Sequence, residues 1–160
     1  MVPPLITSLE RDRHQRPPHR RHRLAPAEVS DAIMSEAKRE RPERDPAHLH
    51  HMLDLAREAV QLVGDRPRAE LVSNLMLSHG LAYCLTRIGR NADCVSAQGR
   101  AALPEINWTK LVDTGELLTT EYYNPHEQLV WQTITEDLPP LITALARALA
   151  EDDSAQQSAE

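Results

Sequence analysis

Between residues 44 and 150 the apolar residues recur every three or four positions, and this period restricts the chain to helices. Leu71, Leu75, Ser78, Ala82, Leu85, Ile88, Ala92 and Val95 fall close to a 3.5-residue repeat, the pattern of helices packed in a bundle. They predict one long helix from about Arg68 to Val95. Gly80 and Gly89 lie inside it. Each costs a helix about 1 kcal/mol, so they point to close helix contacts or a kink. An earlier helix is expected to start at Asp45-Pro46, an N-cap followed by proline at the first helical position. Its stripe is Leu49, Met52, Leu53, Ala56, Val60 and Val63, and Gly64 ends it. Ala101 to Asn107 reads as a connection, interrupted by Pro104. A third helix spans about Trp108 to Glu121, with Trp108, Leu111, Val112, Leu118 and Tyr122 on or near one face. Asn124-Pro125 opens the next helix, which buries Leu129, Val130, Ile134 and Leu138. Pro139-Pro140 bends or restarts it before Leu141, Ile142, Leu145 and Leu149. The expected fold is an all-α bundle of four or five helices. Phe is absent and only five aromatic residues occur, which excludes an all-β fold.

The net charge of −6 hides an asymmetry. Residues 11–23 hold six Arg, three His and one Asp, whereas residues 45–160 hold eight Lys+Arg against seventeen Asp+Glu, a net of −9. Six of the twelve prolines fall in residues 1–43, which lack apolar periodicity and read as a disordered basic arm. Such an arm can hold phosphate backbones. Residues 151–160 read as a polar, acidic tail, and residues 44–150 as the folded domain. Cys84 and Cys94 are too few for a disulfide scaffold or a zinc site and suit a reducing cytoplasm. No apolar run reaches the roughly 20 residues of a membrane span.

The chemistry-bearing residues are sparse. His48, His50 and His51 cluster on the first helix without an acidic or cysteine partner, so they read as surface histidines rather than metal ligands. No glycine-rich phosphate loop exists, and no cofactor is implied. Glu136-Asp137 read as acids favouring the start of the following helical segment. The densest polar stretch, Asp113 to His126, joins the third helix to the fourth, where a bundle keeps a cleft.

Four segments in order carry a family likeness. They are RDPAHLHHML (44–53), IGRNADCVS (88–96), PEINWTKLV (104–112) and EYYNPHEQLVWQTITEDLPPLITAL (121–145). Together they resemble the HepT-like branch of the HEPN proteins. The resemblance implies a dimeric all-α bundle. It implies the toxin of a toxin–antitoxin pair, a metal-independent ribonuclease encoded beside a minimal nucleotidyltransferase antitoxin. The family motif is R-x4-H-x-Y. Its Arg supplies a fixed bidentate donor to phosphate, and its His works as acid or base near neutral pH. The Tyr is the family's adenylylation site, and the resemblance carries that role to Tyr122, with Tyr123 beside it.

The chain departs from this motif at its centre. Aligning on PEINW and EYY puts Gly115 at the Arg position and Thr120 at the His position, and Glu116 follows Gly115. Gly carries no charge, Thr does not titrate near neutrality, and Glu repels phosphate. The expectation is therefore a HepT-like toxin component with an impaired active site. A non-catalytic, immunity-like module is the alternative, pairing with an active relative or binding the nucleotidyltransferase. His126 as base with Lys110 as cation is the rescue arrangement. The double change Gly115→Arg, Thr120→His is expected to re-arm the site if the cleft is intact.

Overall fold

The computed structural model describes residues 41–120 and 126–157. A single 3-10 turn, Pro42–Arg44, leads into α1 (Asp45–Val63). The short α2 (Ala69–Ser73), the long α3 (Leu75–Cys94) and the short α4 (Ala97–Ala102) follow. After the Leu103–Asn107 connection come α5 (Trp108–Thr120), α6 (Glu127–Gln132), a π turn (Thr133–Asp137) and α7 (Leu138–Gln157). No strand occurs among the described residues. The all-α expectation holds: four long helical runs form the bundle, with α2 and α4 as short connectors. The basic arm at 11–23 and Tyr122 and Tyr123 lie outside the described residues.

Central helix α3 packs between α1 and α5, and α1 packs in turn on α7. Met52, Leu81, Ile88, Ile134, Leu138 and Leu145 are fully buried where these helices meet. The α3–α5 crossing depends on two glycines. A Cβ on Gly89 would lie 2.7 Å from the Leu111 carbonyl oxygen and 2.9 Å from the Gly115 Cα. A Cβ on Gly115 would lie 3.0 Å from the Gly89 Cα. The two backbones touch because neither residue has a side chain. Gly89 thus marks the close contact expected of it. Gly80 does not, since the nearest atom to a Cβ there is 3.9 Å away.

The single helix expected over 68–95 is two. Asn74 is extended (φ −115°, ψ 91°), and its side-chain oxygen accepts from the Leu77 amide at 3.1 Å. An asparagine that caps a new helix end resets the helical phase. Leu75, placed in the core by the uninterrupted repeat, is consequently 68% exposed, while Leu81 and Cys84 take inner positions. In α1, Ala59 is buried and Val60 lies at the surface. Asp45 is not the N-cap of α1, a place held by Arg44. Its buried carboxylate instead accepts from the Ser96 amide at 2.9 Å and from the Ser96 hydroxyl. The Ser96 Oγ also accepts from the Gly99 amide at 3.0 Å, capping α4. Part of the segment read as a connection from Ala101 is therefore the end of a helix.

Pro139 and Pro140 lack the N–H groups that would bond Thr135 and Glu136 four residues back. The helix widens in the turn before them, and the Leu138 amide donates five residues back to the Thr133 carbonyl. The run bends without breaking. It continues to Gln157, so much of the expected polar tail is the exposed last part of α7.

Gly89→Ala is expected to destabilise the fold by about 1–3 kcal/mol, because the new methyl meets rigid backbone. Gly80→Ala is expected to raise stability by about 0.4–1 kcal/mol, because the position is helical and open. Urea denaturation of the two variants checks both signs.

Candidate active site

Helix α5 carries Gly115 and Thr120, the positions that the resemblance sets at the family motif, and its start is well fixed. The Asn107 Oδ1 accepts from the Lys110 amide at 3.0 Å, which caps the first turn. The buried Trp108 indole donates to the carbonyls of Arg100 and Leu103, both at 3.2 Å, satisfying the free end of α4. Arg147 of α7 pairs with Glu105 and holds the same connection from outside. Asn and Trp in PEINW are thus a helix cap and an anchored ring.

This start, together with the Gly89–Gly115 contact, sets the rotation of α5. Leu111, Gly115 and Leu118 face inward, while Thr109, Asp113, Glu116 and Thr120 face solvent. Gly115 is buried against α3 and lines none of the three depressions described below. An arginine there would have to pass between two helix backbones. The expected re-arming by Gly115→Arg is therefore sterically closed unless α3 and α5 separate. Thr120 is exposed, and its hydroxyl donates back to the carbonyls of Glu116 (3.0 Å) and Leu117 (3.2 Å). It is an ordinary helical threonine that offers no titratable group.

Among the described residues, Lys110 and His126, the substitute pair, line different depressions. The Lys110 Nζ lies 2.7 Å from Oδ1 of Asp137, which places a carboxylate on the cation a phosphate would need. Lys110 borders two depressions. One, of about 410 Å³, is walled by Asn107, Asp113, Thr114 and Leu129. The other, of about 190 Å³, is walled by Ile106, Asp137, Leu141 and Ala144. His126 caps α6 and lies instead in an open depression of about 510 Å³ with Arg68, Glu127, Gln128, Leu129 and Gln132. Arg68 was not among the candidates in the sequence, because fifty-eight residues separate it from His126 and no local pattern links them.

The other candidates resolve into structural roles. The His48 Nδ1 lies 3.0 Å from Oδ1 of Asn91, whose amide donates to the Arg87 carbonyl at 2.8 Å. His48 thus joins α1 to α3, unlike the exposed His50 and His51. Glu136 accepts from Gln132 at 3.0 Å while Asp137 holds Lys110, so these neighbours form no acid–base pair. Among the described residues no group of three or more His, Cys, Asp or Glu is placed to hold a metal ion. Cys84 is buried between α1 and α3. Burial, and secondarily the Glu58 charge, push its thiol up to about 11. It stays protonated at any physiological pH and is no nucleophile.

A model of the family described as HepT-like, ribonuclease HepT-like, matches residues 52–148. The chain belongs to the HepT-like ribonuclease family. Its matched region runs from the core-facing part of α1 through most of α7. A relative from Methanocaldococcus jannaschii, named "Putative RNase MJ1380", is 23% identical over 95 residues, covering 59% of this chain and 87% of that protein. No solved structure is a significant match. Within this HepT-like chain no described helix is long and apolar enough to cross a membrane.

The raised Cys84 thiol predicts slow chemistry. At pH 8 an alkylating reagent is expected to modify Cys94, which is partly accessible, well before Cys84. Mass spectrometry of the native protein should show one adduct, and the second only after unfolding. Rapid double labelling of folded protein would contradict the burial of Cys84.

Proposed function

We propose that this chain is a HepT-like component of a toxin–antitoxin pair whose ribonuclease centre is catalytically impaired. The observation that carries the reading is the chemistry of two positions on α5. Gly115 is packed on Gly89, and the Thr120 hydroxyl is turned back on its own helix. Cleavage of RNA without metal needs a proton acceptor for the 2′-OH and a donor for the charge developing on phosphorus. Neither position supplies one, and Glu116 between them is anionic. Loss of each such group costs on the order of 10² or more in rate.

In this reading the chain acts as a homodimer in the cytoplasm and binds a minimal nucleotidyltransferase partner. Tyr122 is the candidate for adenylylation. The arginine-rich arm at 11–23 offers the attraction to RNA that the acidic body lacks. A second reading is favoured by the closed Gly89–Gly115 crossing. A bundle that is sound but lacks the catalytic pair would form mixed dimers with an active relative and remove half of its shared site.

The test is incubation of purified protein with total RNA in the presence of a chelator. No cleavage is expected from the natural protein. Thr120→His is expected to fold, since the side chain is exposed, but to stay inactive. Gly115→Arg is expected to lose stability rather than gain activity, read as a lowered Tm. Metal-independent cleavage by the natural chain would overturn the reading.

A further inference from the structure

We infer that the outer face of α3 docks a second copy of this chain, antiparallel, with the two helices crossing at Gly80. The inference rests on the homodimer reading above and adds the face that carries it. The first argument is where apolar surface lies. Val60, Leu62, Val72, Leu75, Met76 and Tyr83 are the large apolar side chains left exposed among the described residues. All of them fall between the end of α1 and the middle of α3. Met76 is 87% exposed, Val72 and Leu75 are each 68%, and Tyr83 is 60%. Side chains exposed to this degree present on the order of 500 Å² of surface, the size at which an apolar patch marks an interaction site.

The second argument is the glycine at the centre of that surface. Met76 stands four residues before Gly80 and Tyr83 three after it, so the three share one side of the helix. Exposed Arg87 and Arg90 continue the same side at the same spacing. Glycine inside a helix is destabilising. No contact within the chain requires this one, since a Cβ on Gly80 would meet only the Leu62 Cδ1, at 3.9 Å. The other glycine of α3, Gly89, admits α5 to backbone contact. Gly80 offers the same close approach to a helix lying outside the chain.

The third argument fixes the occupant. Two identical helices crossing about a two-fold axis bring the same patch to both sides. One glycine at the crossing then clears both backbones. An antiparallel register centred on Gly80 sets Met76 of each copy beside Tyr83 of the other, a favourable sulfur–aromatic contact. It also sends Arg87 and Arg90 of the two copies to opposite ends of the crossing, where a parallel pair would set them together. None of the exposed residues of α3 is Lys, Asp or Glu. Met, Tyr and Arg are the types enriched at protein interfaces, and those three acids and bases are depleted there. With the arginine stems added to the apolar patch, the face approaches the roughly 800 Å² that each partner gives to a standard interface.

The test is analytical ultracentrifugation of the full chain over a concentration series, with circular dichroism of each variant. The natural protein is expected to be a dimer. Met76→Glu and Tyr83→Glu are each expected to raise the dimer Kd about tenfold or more, on the scale of a central interface residue. Gly80→Ala is expected to raise the dimer Kd to a similar extent, while the dissociated chain, measured at high dilution, becomes more stable. A merely misfolded variant would not show that opposite pair of signs. Thr143→Ala, an exposed change on α7, should leave the Kd unaltered. A dimer that all three α3 changes leave intact overturns the face and leaves the homodimer reading standing. A natural chain that is monomeric throughout the series overturns both, and leaves the face to a partner of another sequence. Dissociation seen only in variants that lose helical signal, with Gly80→Ala still fully dimeric, also overturns the proposal.

Discussion

Two helix backbones in contact, at Gly89 on α3 and Gly115 on α5, determine most of what this chain presents to solvent. With a Cβ on either glycine the helices would have to move apart, since the nearest atoms are backbone rather than adaptable side chains. The contact fixes the rotation of α5 and therefore which of its residues can meet a ligand. It also removes position 115 from the surface. The residue that the family resemblance sets at the motif's Arg position is thus the one that lets the bundle close.

Polar contacts outside that crossing hold the remaining helices in register. Asp45 and Ser96 tie the start of α1 to the start of α4, in a place where removing either partner leaves buried polar groups unmatched. Trp108 and Asn107 finish one helix and begin the next. Lys110 and Asp137 link α5 to the π turn, so the lysine best placed to meet an anion beside the motif serves as a strut. Arg68 lies across a different depression.

Much of the fold was legible because apolar periodicity reports burial directly. Leu49, Met52, Ile88, Ile134 and Leu145 are read as core from spacing alone, and they are core. The errors occur where a side chain interrupts the period. Asn74 restarts a helix, so the phase carried through it puts Leu75 on the wrong side. Asp45 has the sequence signature of an N-cap, but a partner fifty-one residues away claims its carboxylate. The site was less legible for the same reason. Family motifs identify positions 115 and 120 by number, yet only the packing shows that 115 faces a second glycine. Arg68 and His126 line one depression although they are distant in sequence, which no local pattern encodes.

The most direct measurement is a nuclear Overhauser experiment on isotopically labelled protein, observing the α-protons of Gly89 and Gly115. Backbones as close as these require a strong cross-peak between the two residues. A strong Gly89–Gly115 cross-peak confirms that the motif position is sealed in the helix crossing. Its absence from a protein whose α3 and α5 remain helical would contradict the account, because position 115 would then be open to the cleft.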